Sequence, residues 1–583
     1  MKELRPTSRS QKILNDFYVF DTETGDTLKN GDVKWKLDAR PESFIFGCVV
    51  GPDNYRRVIH TVREFQQEFQ HPRYKGKLVF AHNAEYDLNV IFDNIYQFDN
   101  HAIFNGRFIS ATNGNCKFAD SLNILKMSVA EIGKLLGFPK LSLGTKLKSK
   151  KSDRNKDIEY CFRDCDIVYY GLQKIFEDAG CYKLTQASLS MALFRNSYLQ
   201  KSIRHNEFQE HFFDSYYGGR VEMFKEGKCE AEVIDGNSAY PFQMVSLNFP
   251  DPEKIGCAMR PPIKLLLKWL RMYEGCAYVK VRHPEIWLGL LPYKSEGKLK
   301  FPVGEFNGCW NFNELRFAIE NDVEILSVDK VFYGPAMESP FRKYVTELYN
   351  KRLTTEDEFE STRIKVFMNS LYGKFAQRIK EEFTYLPDWR KQTSLITEHQ
   401  RKRTFIDLQL FNRDRLDAFL VTKAISTKNG LPYAIPSFAS YITSGQRVHL
   451  AKKLLELKPY HPLYCDTDGI FVGKKCKFKD EKQLGGWKKE NKIITRINGL
   501  KNYEFKYINK EGKLVSDYKI KGVPKSAKKL GENRFEFLSM IRTKEGLRRN
   551  QESGIFVKKE KEIKPVYDKR ILLKSGETKP IKL

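Results

Sequence analysis

The sequence predicts a multidomain α+β protein, and three observations carry that reading. At 583 residues the chain is too long for one hydrophobic core. Its hydrophobic fraction of 41% and aromatic fraction of 13% are ample for several cores. Short apolar, β-prone runs leading into acidic residues are interspersed with stretches of helical spacing, with no internal repeat and no low-complexity linker.

Composition then bounds the partners. With 100 Lys and Arg against 73 Asp and Glu, the formal net charge is +27, spread along the chain and not confined to a tail. Such an excess suits a polyanion, because basic grooves gain affinity by releasing counterions from phosphates. The 11 cysteines are scattered, and Cys161 and Cys165 have no second pair to complete a zinc set. Reduced, mostly buried thiols in an intracellular protein are expected. Residues 1–12 are basic and polar with no apolar stretch after them, so no secretory signal is expected. No run approaches the length of a membrane span, so no membrane partner is expected.

The first third is organised around acids. Phe17-Tyr18-Val19-Phe20 reads as a buried strand ending in Asp21-Thr22-Glu23-Thr24. Alternation places Asp21 and Glu23 on one side of it. Leu78-Val79-Phe80-Ala81 reads as a second strand, running into His82-Asn83-Ala84-Glu85-Tyr86-Asp87. In Asp157-Ile158-Glu159-Tyr160-Cys161-Phe162-Arg163-Asp164, helical spacing sets Tyr160 and Asp164 on one face. Carboxylates gathered from two strands and a helix suit a two-metal phosphodiesterase. Hydrolysis needs one cation to generate hydroxide and another to stabilise the leaving oxygen, and Mg²⁺ takes carboxylate oxygen. Singly, each acid also suits a cap or turn; the ordered set D-x-E, N-x-x-Y-D, Y-x-x-x-D is what is specific.

Further along, Tyr216-Tyr217-Gly218-Gly219-Arg220 reads as a turn whose glycines permit positive φ or close approach to phosphate. Val233-Ile234-Asp235 reads as a strand delivering Asp235 to its end, with Pro241 starting a helix. Residues 301–306 and 310–315 suggest a β-hairpin region followed by a helix. Residues 361–375 read as a helix with Lys365, Asn369 and Tyr372 near one face. Phosphoryl transfer relies on positioning and charge neutralisation, which a lysine supplies to a triphosphate. Residues 377–423 are charged and aromatic, with Arg401-Lys402-Arg403 among them, and suit a solvated insertion or a DNA-wrapping one. Finally, residues 463–471 read as two short strands meeting at a tight turn, with Asp466 and Asp468 at its tip. Two such carboxylates repel unless a cation sits between them.

In this order the motifs resemble those of family B DNA polymerases carrying a 3′–5′ proofreading exonuclease. The resemblance implies an RNase H-like exonuclease domain followed by right-hand palm, fingers and thumb with insertions. It implies Asp21, Glu23, Asp87 and Asp164 as exonuclease metal ligands, with Tyr160 orienting the attacking water. Thr24, Asn83 and Tyr86 would contact the frayed primer end, Tyr86 offering a stacking face that tolerates any base. Ser121-Leu122-Asn123-Ile124-Leu125 resembles the S-L-x-x-hydrophobic element that binds single-stranded DNA. Lys140-Leu141-Ser142-Leu143 resembles an element carrying an accessory lysine, for which Lys146 is a neighbouring alternative. Tyr216, Gly218 and Gly219 match Y-x-G-G, the link that hands the primer between the two sites.

On the polymerase side, residues 235–241 match D-x-x-S-L-Y-P with Ala239 in place of leucine. Asp235 would be the first metal ligand, and Tyr240 would stack under the incoming sugar and exclude a 2′-hydroxyl. Residues 365–373 match K-x-x-x-N-S-L-Y-G throughout. Lys365 would grip the triphosphate and Tyr372 pack on the nascent pair, with Asn369 beside them and Arg352 a further phosphate contact. Thr443 and Arg447 fit a T-x-x-G/A-R template-binding element in which Gln446 is off pattern. The acidic turn matches Y-x-D-T-D-S with Gly469 for serine, and Lys501 and Tyr503 match K-x-Y, which holds the primer end. Asp235 and Asp468 would bind two Mg²⁺ ions, or Mn²⁺, with Asp466 adjacent, and each active site would take two ions.

Two features narrow the branch. Only about twenty residues precede the first exonuclease acid, and the intervals from Asp235 to Lys365 and from Gly373 to Asp466 are long. Both resemble the protein-primed branch of phages and linear plasmids, whose insertions bind a terminal protein and encircle DNA for strand displacement. The expected division is an exonuclease domain at 1–185 and a polymerase domain at 186–583. Within the latter, the palm takes about 186–340 and 424–500 including a first insertion, the fingers about 341–376, a second insertion about 377–423 and the thumb about 501–583. Expected partners are primer-template and single-stranded DNA, deoxynucleoside triphosphates and a terminal protein, with the chain itself a monomer. A phage enzyme would work in the host cytoplasm, and a linear-plasmid enzyme in a mitochondrion. The alternatives are a nucleic-acid-primed family B polymerase and a nuclease with a DNA-binding C-terminal part, which would incorporate no nucleotide.

Overall fold

The computed structural model describes residues 2–583 except 28–32, 36, 38, 93–94, 96–97, 105–106, 142–153, 379–381, 387–404, 412–416, 424–430, 432, 477, 482, 510, 532, 543–544, 546–553 and 564–566. At 27, 33–35, 100–101, 104, 154, 382–386, 405–411 and 417–423 it describes the backbone alone. Ser142, Leu143, Lys146 and Arg401-Lys402-Arg403 lie outside the described residues.

The N-terminal unit is built on a mixed sheet. Its strands run in the order Arg56–Ile59, Phe44–Val50, Phe17–Thr27, Leu78–Ala81, Cys116–Asp120, Arg107–Asn113 and Asp99–Phe104, with Val33–Trp35 paired beside Phe17–Thr27. Leu78–Ala81 is parallel to both neighbours. The continuous apolar run Phe17 to Phe20 has a simple cause, since both faces of the sheet are covered. Phe17 and Val19 join a core with Phe80, Leu172 and Phe176, the last two from the long helix Arg154–Ala179. Tyr18 and Phe20 face the opposite core with Phe65, Phe69 and Tyr74. The first strand does not stop at the acids. It pairs on through Asp21↔Cys48 and Glu23↔Phe46, so both carboxylates project from mid-strand.

The C-terminal unit centres on a seven-stranded antiparallel sheet. Its order is Val221–Met223, Pro462–Asp466, Gly469–Val472, Gly227–Gly236, Trp487–Gly499, Asn502–Ile508, Leu514–Ile520. The boundary expected near residue 500 therefore falls inside this sheet, because Trp487–Gly499 and Asn502–Ile508 pair directly. The helix Pro436–Glu456 lies behind it, buried on every side from Pro436 to Arg447. A second, four-stranded sheet holds Gly256–Met259, Glu324–Gly334, Glu274–His283 and Gly304–Asn311, followed by the helix Phe312–Ile319. This is the expected hairpin-then-helix region.

Two helices, Arg342–Thr354 and Glu358–Ser370, stand beside the palm sheet. Asp357 caps the second by accepting from the backbone N–H groups of Phe359 and Glu360. A short helix, Tyr372–Phe375, continues it after Leu371. Phe341, Phe375, Phe438 and Phe249 pack edge to face and tie these helices to the palm. In the second insertion, Glu382–Leu386, Asp417–Lys423 and Phe405–Phe411 form a three-stranded sheet. Near the C-terminus Lys528–Lys529, Arg534–Met540 and Phe556–Glu562 form another. All eleven cysteines are free thiols, and eight are buried. Among the described residues no helix is long and apolar enough to cross a membrane.

Candidate active sites

The palm acids meet where three adjacent strands end. Asp235 stands opposite Gly469 between neighbouring strands, and Asp466 pairs with Gly469 across the hairpin. Burial pushes Asp468 up to about 6, and the charges of Asp235 and then Asp466 add to it while Lys365 opposes. Burial and the charge of Glu490 raise Asp235, against Lys488, Lys492 and Lys365. Half-buried carboxylates gathered at one point form an all-oxygen donor set suited to a hard divalent cation. Lys501 Nζ sits 3.2 Å from Asp466 Oδ2, and Lys488 Nζ 4.0 Å from Asp235 Oδ2.

The turn between the strands is strained. Thr467 has φ of +63°, which is costly for a β-branched side chain, about 1–3 kcal/mol. Asp468 N–H donates to Asp466 O across it at 2.7 Å, a γ-turn contact, and Thr467 N–H donates to Arg220 O at 2.7 Å. Gly219 explains part of Y-x-G-G. A Cβ there would lie 2.9 Å from Thr467 Oγ1 and 3.1 Å from the Tyr240 hydroxyl, so the loop closes over the turn only with glycine. Neither Gly218 nor Gly219 has positive φ, so close approach and not backbone conformation is the reason.

Opposite the acids, Tyr240 and Tyr372 stack at 4.5 Å between ring centroids. Tyr240 belongs to the helix Ala239–Ser246, which begins two residues before Pro241, following Ser238 at φ +52°. Asn369 Nδ2 donates to Lys365 O at 2.8 Å, and the Lys365 side chain is exposed toward both raised carboxylates. Tyr216 is half-buried near this pair of rings, while Arg352 is half-buried on the preceding helix.

On the N-terminal sheet the acids also converge. Burial raises Asp21 well above its ordinary value, with the charges of Cys161, Asp87, Asp164 and Glu23 adding in that order. Burial pushes Asp87 up to about 8 against hydrogen bonds from Thr22, whose N–H and hydroxyl donate to Oδ1 at 3.1 and 2.7 Å. Ligand atoms of Asp21, Glu23 and Cys161 lie within 4.8 Å of one another. Lys140 is ion-paired with Asp164 and lies 4.5 Å from the centre of the Tyr160 ring. Burial pushes the Tyr160 hydroxyl up to about 12, with Asp164 adding. These oxygen donors fit hard cations, and the adjoining sulfur of Cys161 is outside the motif.

The expected primer-end contacts cluster beside them. Thr24 Oγ1 and the Tyr86 hydroxyl are 2.6 Å apart. Asn83 takes φ +72°, and its N–H donates to Asp120 Oδ1 at 2.9 Å. Arg542, from the C-terminal part, donates to Glu85 Oε2 at 2.9 Å and to Asn83 Oδ1 at 3.4 Å. The Phe556 ring meets Tyr86 at 6.1 Å.

Four expected DNA contacts are internal instead. Ser121 is fully buried and donates to Ala81 O at 3.0 Å, with His82 Nδ1 at 2.9 Å, while Leu122 is half-buried. Thr443 donates to Ser440 O inside the buried helix. Arg447 is 2% exposed, paired with the equally buried Glu314 at 2.8 Å, and donates to the carbonyls of Tyr217 and Gly218. It holds the Y-x-G-G loop, not solvent-side phosphate. Tyr503 is buried against Phe471 and Tyr464. Each was read from motif membership, which does not report which way a helix or strand faces.

Residues that sequence reasoning missed come from distant segments. Arg220, Glu222 and Arg570 form a buried triad under the acidic hairpin. Arg220 Nε donates to Glu222 Oε2 at 2.7 Å, and Arg570 reaches Oε1 at 3.4 Å. Asp120 and Arg542 are similarly silent in sequence, and Cys161 was not assigned a role. Only Cys161, one residue from Tyr160 on the same helix, had a local signal.

A mixed sheet and two helices that gather four acids, joined to an antiparallel sheet with its acids at a hairpin near the exposed Lys365, define the two-part fold of a polymerase with an N-terminal nuclease-like domain. Residues 138–411 match the family described as DNA polymerase type B, organellar and viral. A "Probable DNA polymerase" of Neurospora intermedia is 28% identical over 404 residues, covering 65% of this chain but only 40% of that protein's length. The "DNA-directed DNA polymerase" of Enterobacteria phage PRD1 is 23% identical over 431 residues, covering 70% of each. Phi29 DNA polymerase complexed with primer-template DNA and incoming nucleotide substrates shares the fold, with TM-score 0.68 at 15% identity, covering 95% of this chain and 100% of that one. The chain is thus similar to family B DNA polymerases in sequence over part of its length and to phi29 DNA polymerase in fold.

Proposed function

We propose that the chain is a replicative DNA-directed DNA polymerase with a 3′–5′ proofreading exonuclease, protein-primed and strand-displacing. The observation that carries the polymerase reading is the meeting of Asp235 and Asp468 at adjoining strand ends under Lys365, with Tyr240 stacked on Tyr372. Mg²⁺ pairs held by Asp235 and Asp468, and by Asp21, Glu23, Asp87 and Asp164, would neutralise charge on the reacting phosphates and activate the attacking oxygen.

The chain's own groups do the positioning. Lys365 offers a cation to the triphosphate, while Tyr240, stacked on Tyr372, would lie under the incoming sugar and exclude a 2′-hydroxyl. The primer 3′-oxygen then bonds to the α-phosphorus and pyrophosphate leaves. In the exonuclease, Lys140 is ion-paired with Asp164 and Tyr160 orients the water. The Asp468→Ala variant should lose primer extension while keeping single-strand degradation, and Asp21→Ala/Glu23→Ala should do the reverse. Extension by Asp468→Ala at near the parent rate would sink the polymerase assignment.

Protein priming is supported by the four-stranded sheet inserted between Asp235 and Lys365 and by the three-stranded sheet after Gly373. Its test is initiation without an oligonucleotide: labelled nucleotide should become covalently attached to the cognate terminal protein. Absence of label, with efficient extension of an annealed oligonucleotide, would favour the nucleic-acid-primed alternative.

A further inference from the structure

The acidic turn and the buried helix each depart once from the family motifs, Gly469 replacing serine and Gln446 a small residue. Both departures converge on one backbone turn. Gln446 is 1% exposed, and its Nε2 donates to the carbonyl of Thr467 at 3.0 Å. Its Oε1 accepts from Gln243 Nε2 at 3.3 Å, which fixes the direction of the amide. Thr467 is the residue held at φ +63°, and its N–H is already taken by Arg220. Its carbonyl is thus the remaining backbone group by which another element can hold the strained conformation. Strain of this kind persists only where the surroundings over-determine it.

Gly469, by contrast, has no steric need to be glycine. Its φ lies outside the left-handed region, and a Cβ would meet Asp235 Oδ1 at 3.7 Å and Asp466 O at 3.8 Å, ordinary contact distances. What glycine withholds at this position is a hydroxyl beside the strained turn.

We propose that Gln446 is a positioning residue for the palm acids, its amide clamp on Thr467 O supplying a restraint on the turn that a hydroxyl at position 469 would otherwise share. Positions 446 and 469 then behave as one unit. Without the clamp the Thr467 carbonyl loses its partner, the turn relaxes, and Asp468 drifts relative to Asp235. Catalytic consequences rest on the polymerase reading above; restraint of the turn does not.

The test is a double-mutant cycle with Gln446→Met, which keeps volume and removes the donor, and Gly469→Ser. Gln446→Met should lower kcat for nucleotide incorporation about tenfold, with the nucleotide KM within about twofold. Amide hydrogen exchange of residues 462–472 should quicken in the same variant. In the Gly469→Ser background the Gln446→Met loss should shrink to about threefold or less, and exchange should slow again. Retained exonuclease rate shows that the chain is folded. Equal losses in both backgrounds, or unchanged exchange in Gln446→Met, overturn the proposal. If the parent chain extends no primer, the polymerase reading fails, and the exchange rates still decide the clamp.

Discussion

Burial moves Asp468 to about 6 and Asp87 to about 8, both from an ordinary value of 3.8. The folded chain therefore keeps protons that the unfolded chain has released. That holds from about pH 4 to 6 for Asp468 and from about pH 4 to 8 for Asp87, and by linkage each group subtracts stability as pH rises through its window. A divalent cation favours the charged form and reverses the effect. In chelator, the contribution of these acids should lower the melting temperature between about pH 4 and pH 8; Mg²⁺ should raise it most at the upper end. Differential scanning calorimetry checks this, and Asp468→Asn should diminish the Mg²⁺ increment. At this scale the carboxylates were legible because catalytic spacing is local: D-x-E, Y-x-x-x-D and D-x-D each lie within a few residues. Asp120, Arg220 and Gln446 were not, because their partners Asn83, Gly289 and Thr467 are chosen by packing.

Strands and helices were legible in their cores and blurred at their ends. Leu78–Ala81 coincides with its apolar run, whereas the first strand continues past Phe20 because Phe44–Val50 supplies a ladder as far as Thr24. The helix Pro436–Glu456 shows little periodicity because its first three turns are enclosed on all sides. That enclosure turned Thr443 and Arg447 inward. The elements around the acidic hairpin depend on the Arg220–Glu222–Arg570 triad, whose three side chains are all 2% exposed or less. Glu222→Ala leaves two buried guanidinium groups uncompensated and should cost about 3–5 kcal/mol in urea unfolding. A loss below about 1 kcal/mol would show that water re-solvates the triad.

Across the whole molecule, the C-terminal part touches the N-terminal unit through Arg542 on Glu85 and Asn83 and through Phe556 on Tyr86. Arg542→Ala should slow single-strand degradation about three- to tenfold through misplacement of Asn83, with primer extension less affected. Comparable losses in both activities would mean a general folding defect. The net charge of +27 acts at this scale as well. Affinity for primer-template should fall about a thousandfold between about 50 and about 200 mM salt, read by fluorescence anisotropy. The sequence by itself determined the candidates: the carboxylate sets, the lysine proposed to bind phosphate and the positive charge suited to a polyanion, since residue type and short spacing encode them. Tertiary structure alone decided which motif residues face the sites and what holds the strained Thr467 turn. Those outcomes depend on hydrogen bonds and burial between segments tens to hundreds of residues apart, where side-chain direction is set by the neighbour and not by the motif.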